Sequence, residues 1–361
     1  MSSHQRQVSL GKVIFAPDWR EGNPYQSLLA KALEAKGVEV QFMSDYSRGF
    51  PLARGLSRCG DALLHLHWPE AYFRDHTFPP HQWFCEWRYP LDRWMACRKR
   101  PLVATAHNLL PHSAAGRNSH RRNMAVTYRG AQRVVAHSKA AAEALQRTYD
   151  VDSRNIRVIP HGDLNAGAPA LPSRENSRSA LGIDPRTPMI LMFGAASSYK
   201  GIEDVIQYWK KLEHAPLLVV AGRAESPAYA ASLKAMAGGH PAIRLEIDRF
   251  LEDAELSRWQ AAADACLFNY RAILTSGSAI QTRSLGIPVL FPSQLDLVDL
   301  GEPDPRVIRF DALDGTFQAL MNRAIAIGSD YHAAARYRES IEWSQIAAAH
   351  LAVYQEAATD Y

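Results

Sequence analysis

No apolar run in this 361-residue chain approaches the ~20 residues that a bilayer-spanning helix needs. The first residues, MSSHQRQVSLGKVIFAP, lack the basic, apolar and small-residue order of a secretory leader. Cysteine is scarce: Cys59, Cys85, Cys97 and Cys266 are scattered with no CxxC pair. That scarcity argues against a disulfide framework or a thiolate zinc site, and a reducing cytoplasm is the expected setting. Neither charge dominates, since 41 Lys and Arg face 37 Asp and Glu for a net +4. No fixed-period repeat and no low-complexity tract is present. What remains is the composition of a globular protein, 47% hydrophobic and 22% charged. The length exceeds one ordinary core and suits two domains.

Short apolar runs alternate with helical patterns along the chain. KVIFAP (Lys12–Pro17) reads as a strand, and Pro24 to Lys36 as a helix with Leu28, Leu29, Ala32 and Leu33 on one face, stopped by Gly37. VEVQFM, ALLHLHW, LVATAHN, RVVAHS and IRVIPH read as further strands, with AAAEALQRTY as a helix. The stretch DLNAGAPALPSRENSRSALG (Asp163–Gly182) is rich in Pro, Gly, Ser and Asn and reads as a linker or surface loop. The pattern then restarts with PMILMFG, a helix from Ile202, LLVVAG, IRLEI, a helix over DAELSRWQAAA, and ACLFNY. Such alternation predicts an α/β fold in two halves, with parallel sheets and crossover helices. The last helix, roughly Tyr337 to Ala358, carries Trp343, Ile346, Leu351 and Tyr354 as a packing stripe.

Ligands of open α/β sheets bind where strand ends lead into helices. Two loops of the second half have that position and unusual chemistry. FGAASSYKG (Phe193–Gly201) leaves a strand, is built of small residues and presents Lys200 just before a helix. It fits neither GxGxxG nor GxxxxGKS/T. NYRAILTSGSAIQTRSLGIPVLFPS (Asn269–Ser293) puts Thr275, Ser276, Gly277 and Ser278 where a loop becomes a helix. Bare amides and hydroxyls there make an anion site, because the helix dipole supplies about half a positive charge. Lys200 can add a full charge, and a diphosphate is the natural occupant. The plainer reading is that Thr275 or Ser276 caps the helix. Four small residues plus a lysine loop exceed what capping requires.

The segments RVIPHGD, SYKGIEDVI, DRFLEDAELSRWQAAADACLFNY and SLGIPVLFP span Ile156 to Pro292. Their order and spacing resemble the donor half of GT-B glycosyltransferases, in particular the large retaining family 4. YRAILTSGSA is closer to a bacterial subgroup associated with exopolysaccharide and glycolipid assembly, and PDWREGNPYQSLLAKALEAKGVEV, LHLHWPE and TAHNLLPHS are similar to that subgroup too. The resemblance implies two Rossmann-like domains facing across a cleft. Residues 1–163 would bind the acceptor and 164–340 the donor, and 341–361 would form a helix crossing back to the first domain. It implies transfer of a hexose from a GDP- or UDP-linked sugar to a carbohydrate or lipid-linked oligosaccharide, with no metal and no cofactor beyond the sugar nucleotide. Gly194, Ser197, Lys200, Arg223, Leu251, Thr275, Ser276, Gly277, Ser278 and Gln281 would bind the donor. The sequence departs from that family at three points. Ile273 and Gln281 stand where it has paired glutamates, and Ser197 stands where it has an arginine. An amide at Gln281 can still hydrogen-bond hydroxyls.

In the first half, the loop WREGNPYQ follows the first strand and offers Gly22, Asn23 and Tyr25 to the acceptor, with Trp68 and Asn108 at later strand ends. His107 also ends a strand, and a histidine near this point contacts the donor sugar in the resembled family. For an inverting reaction, Asp18, Glu70 and His107 are the candidate bases. His112 and His161 are weaker candidates. His65 and His67 share a strand face compatible with metal ligation, but with no third ligand at a suitable spacing they read as packed or hydrogen-bonded histidines. The one DxD-like run, DVD at Asp150–Asp152, follows an amphipathic helix and reads as chance.

QWFCEWRYPLDRWMACRKRP (Gln82–Pro101) interleaves Trp83, Trp87 and Trp94 with Arg88, Arg93, Arg98, Lys99 and Arg100, and Arg117, Arg121 and Arg122 follow. Aromatic and basic residues together suit peripheral contact with an anionic membrane, where each cation contributes about 1 kcal/mol. Taken alone, the tryptophans read as core positions of a helix with a solvated basic end. No motif supports nucleic-acid binding. Three functions stay open: a sugar-nucleotide-dependent transferase, a sugar-nucleotide epimerase or phosphorylase, and a non-catalytic sugar-binding relative.

Overall fold

The computed structural model describes residues 11–21, 23–44, 49–73, 79–109, 118–301 and 303–361, the side chains of 79–81 excepted. Gly22, His112 and Arg117 lie outside the described residues. The chain forms two compact units, Met1–Leu164 with Ile341–Tyr361, and Asn165–Ser340.

In the first unit β1 (Lys12–Ala16), α1 (Tyr25–Glu34), β2 (Glu39–Phe42), α2 (Pro51–Leu56), β3 (Leu63–Leu66) and α3 (Pro79–Cys97) follow one another. Then come β4 (Leu102–Thr105), α4 (Asn118–Arg129), β5 (Arg133–Ala136), α5 (Lys139–Tyr149) and β6 (Ile156–Val158). The strands pair in parallel in the order β2-β1-β3-β4-β5-β6. Val13, Ile14, Phe15, Leu64, Leu66, Val103 and Val134 are fully buried, as strands covered by helices on both faces must be.

The second unit runs through α6 (Arg174–Leu181), β7 (Met189–Phe193), α7 (Ile202–Trp209), β8 (Leu217–Ala221), α8 (Pro227–Ala237) and β9 (Ile243–Glu246). It continues with α9 (Asp253–Ala262), β10 (Ala265–Leu267), α10 (Gly277–Ser284), β11 (Val289–Pro292), β12 (Val307–Phe310), α11 (Gly315–Ile327) and α12 (Ala335–Ser340). Its sheet, again parallel, has the order β12-β11-β10-β7-β8-β9. The winding therefore reverses between β7 and β10 here, and between β1 and β3 in the first unit. Each reversal opens a crevice at the carboxyl ends of two adjacent strands. α13 (Trp343–Thr359), last in the chain, packs on α1 of the first unit, and its Glu356 and the following Asp360 accept from Arg133 at 2.7 and 2.5 Å.

Three expectations need correction. The polar stretch before Gly182 is not all loop: α6 occupies Arg174–Leu181. Ser173 Oγ caps its start by accepting from Asn176 N, and Gly182 ends it in the left-handed region at φ 67°. Composition hid a helix whose anchor is one buried charge, Arg178. The final helix is two, α12 and α13, broken at Ile341–Glu342, and Leu351 is only half-buried while Ala347, His350 and Val353 face inward. The tryptophans of α3 are not core positions: Trp83 and Trp87 are each 78% exposed and Trp94 is 53% exposed. That helix turns Cys85, Arg88, Tyr89, Asp92 and Ala96 inward, which leaves the tryptophans on the opposite face.

Candidate functional site

At the β7–β10 reversal two loops are locked together. Asn269 Nδ2 donates to Gly201 O at 3.0 Å, and a side chain at Gly201 (φ +59°) would collide with Asn269 at 2.6 Å. The loop after β7 pairs with the loop after β8 through Ala196 N–Arg223 O and Glu225 N–Ala196 O, both 2.9 Å. Ser197 O accepts from Lys200 N at 2.9 Å, a tight turn that folds the lysine back over its own strand. Lys200 is 6% exposed and donates from Nζ to Phe193 O at 2.9 Å. An ammonium carries three donors. Burial holds its pKa down at about 8.

α10 starts beside that amine. A Cβ built on Gly194 (φ +83°) would lie 3.1 Å from Lys200 Nζ and 3.5 Å from Ser278 Oγ, so lysine and helix N-terminus converge on one bare glycine. Ser276 is the helix cap, its Oγ accepting from Ala279 N at 3.1 Å, and it is buried against Tyr270. The capping reading thus holds for Ser276. The amides of Gly277 and Ser278, first in the helix, have no intrahelical acceptor. Thr275 is half-buried just ahead of the cap. Arg223 is exposed, with its guanidinium 5.1 Å over the ring of Phe250, next to half-buried Leu251. Gln281 is otherwise engaged: its Nε2 donates to Asn165 Oδ1 at 3.1 Å and its carbonyl accepts from Asn165 Nδ2 at 3.0 Å. The structure brings Gly194, Lys200 and Ser278 together and ties Gln281 to the start of its own unit.

The first unit's reversal gathers rings. β3 and β5 lead directly into His67 and His137, His107 and His161 follow two and three residues after β4 and β6, and parallel pairing of these strands brings the four close together. His107 lies with Nε2 3.4 Å from His67 Nδ1 and Nδ1 3.4 Å from His137 Nε2. Its ring stacks on Trp68 at 4.3 Å, and Trp68 on Trp19 at 5.1 Å. Burial, then His137 and His161, push the His107 pKa well below 6.5, so the ring is neutral at pH 7. Tyr25, expected at the acceptor, is wholly buried, its ring against His67, His107, His137, His161 and Trp343. Asn23 Oδ1 accepts from Tyr25 N at 3.1 Å and so shapes the start of α1. His65 is hydrogen-bonded, to Tyr354 OH at 2.9 Å and Thr105 Oγ1 at 2.7 Å.

The candidate bases differ in state. Asp18 is gripped by Arg20 through two bonds of 2.9 Å, which hold its carboxyl below the usual range and make it a weaker base than its position suggested. Glu70 is buried after β3, its Oε1 3.4 Å from Asn108 Nδ2. Among the described residues no group of three or more His, Cys, Asp and Glu is placed to hold a metal ion. Sequence reasoning overlooked His137, His350 and Asn269. The signal for His137 was visible: HLHW, TAHN, VAHS and IPHG each end an apolar run in histidine.

Residues 25–163 match Glycosyltransferase Family 4. D-inositol 3-phosphate glycosyltransferase of Xylanimonas cellulosilytica is 28% identical over 244 residues, 62% of this chain and 57% of that protein. The match thus spans a little over half the length of that relative. Among solved structures, sucrose-phosphate synthase from Thermosynechococcus elongatus superposes with a TM-score of 0.67 at 15% identity, covering 95% of this chain and 98% of that one. Anabaena HepE, solved in complex with UDP-glucose, superposes with a TM-score of 0.65 at 16% identity, covering 94% and 98%.

Proposed function

We propose that the chain, whose residues 25–163 match Glycosyltransferase Family 4 and whose fold is that of GT-B glycosyltransferases, transfers a hexose from a nucleoside diphosphate sugar to a carbohydrate or lipid-linked acceptor. The observation that carries this reading is the convergence of Lys200 Nζ, Ser278 Oγ and the first amides of α10 on Gly194. A departing diphosphate develops negative charge, and a buried ammonium with a helix N-terminus stabilises that charge where it forms. Gly194 leaves room for a phosphate, Arg223 with Phe250 flanks the nucleoside, and the turn through Ser197 holds Lys200 in place. Thr275 offers a hydroxyl ahead of the cap. On the first unit, Trp68 and Asn108 frame the acceptor, and His107, which burial keeps neutral and weakly basic, meets substrate as a hydrogen-bonding ring. Glu70 orients Asn108.

Melting temperature measured with UDP, GDP, ADP and TDP tests the donor site, because a ligand that binds only the folded state raises it by mass action. UDP is expected to give a clear rise, as HepE was solved both with UDP-glucose and with UDP. No rise with any of the four would remove the diphosphate from this site. Affinity should also depend on pH with a defined sign. The Lys200 amine is charged below about 8 and loses its proton above it. Nucleotide affinity should therefore fall about tenfold between pH 7 and pH 9, read by calorimetry, and a flat profile would mean the amine does not meet the diphosphate. Ile273 and Gln281, standing where the resembled family has carboxylates, favour one rival: a relative that binds sugar nucleotide without turning it over. Nucleotide release on adding acceptor separates the two.

A further inference from the structure

We propose that the exposed face of α3, together with the start of α4, docks on an anionic lipid surface. Trp83, Trp87, Leu91 and Trp94 fall on one side of α3 and form a stripe ~16 Å long. Beside it runs a groove of about 720 Å³ between the two helices, its apolar wall made by Trp83, Phe84, Trp87, Pro90 and Leu91 and its polar wall by residues that include Glu86 and Arg122. A contiguous apolar patch of this kind on a monomer marks a binding surface rather than chance exposure.

The surrounding charge selects the occupant. α4 contains no Asp or Glu in Asn118–Arg129. Of the two acids of α3, Glu86 borders the groove but is half-buried and lies 3.0 Å from His120 Nε2, and Asp92 is buried, accepting from the amides of Leu52 and Ala53. The cations stay outside. Arg98 sits 5.1 Å over the Trp94 ring, Lys99 and Arg121 are exposed, and Arg122 lines the groove. Among the described residues Arg98, Lys99, Arg121 and Arg122 have no carboxylate within salt-bridge distance. Indole rings settle at the boundary of headgroup and acyl chain, and arginines beside them meet lipid phosphates. A second copy of the chain fits less well, since a two-fold contact through this patch would set arginine against arginine. The inference is independent of the donor site, because docking is read without nucleotide.

The test is co-sedimentation of the full chain with vesicles of phosphatidylglycerol and phosphatidylcholine in equal parts, compared with phosphatidylcholine alone. Wild type should bind the mixed vesicles, release them at high salt, and shift its tryptophan emission to the blue. Trp83→Ser with Trp87→Ser should weaken binding about tenfold or more, and Arg98→Glu with Arg122→Glu likewise. Since all four side chains lie at the surface, melting temperatures should stay near wild type. Equal binding by wild type and the tryptophan variant would overturn the proposal. So would failure of wild type to bind the mixed vesicles, or self-association abolished by the same substitutions in place of vesicle binding.

Discussion

Lys200→Ala is expected to lower kcat/KM by about a hundredfold to a thousandfold and to abolish the thermal shift given by UDP, with the fold intact. The magnitude follows from position. Lys200 is buried, aimed at Gly194 and next to the first turn of α10. An ammonium removed from water acts on developing phosphate charge with little screening. The fold should tolerate the change because the amine makes one protein hydrogen bond, to Phe193 O, and its desolvation already opposes the charged form. Lys200→Met, which keeps the apolar stem, separates charge from packing: it should lose turnover as fully as alanine while matching wild type in melting temperature. Turnover near wild type in either variant would place the diphosphate elsewhere.

Arg178→Ala is expected to cost about 3–5 kcal/mol in stability, with no direct contact to the candidate donor residues. Arg178 has no exposed surface and donates to the carbonyls of Ala262, Asp184, Pro185 and Thr187, and to Asp264 Oδ2 at 2.9 Å. Asp264 also accepts from Met189 N at 2.7 Å and from Arg174. One guanidinium therefore ties α6 to α9 and to the first residue of β7. Truncation leaves several buried acceptors and a carboxylate without their donor, the costly side of the hydrogen-bond balance. Arg178→Lys should recover only part of the loss, because a lysine cannot reproduce the five-donor fork. Denaturant unfolding followed by circular dichroism reads the change. A cost below about 1 kcal/mol would mean that α6 is held by its caps and packing instead.

Most strands were legible because each is a short apolar run closed by turn residues, though β12 (Val307–Phe310) went unread, and the two small-residue loops stood out because Lys200 and Thr275–Ser278 are local signals at strand ends. Burial and direction were not. The same tryptophans that read as core by composition lie outward because α3 turns Cys85, Tyr89 and Ala96 to its neighbours, and only the assembled layers decide which face of a helix is covered. Asp18 read as a free carboxylate until the loop brought Arg20 onto it, and Gln281 read as a sugar contact until Asn165, 116 residues away in sequence, occupied its amide. Arg178 lay unnoticed in a stretch judged by its prolines and glycines.

By itself the sequence determined an α/β chain in two halves, a small-residue helix start with a lysine loop, and a histidine at the end of each of four strands. Those follow from the period of apolar residues and from the chemistry of neighbouring positions, which act over a turn or two. Tertiary structure alone decided that Lys200 and Ser278, 78 residues apart by number, meet at Gly194. It also decided that four strand-end histidines form one buried layer over Tyr25. Parallel pairing sets such meetings, since register between strands distant in sequence depends on the whole sheet being assembled and covered.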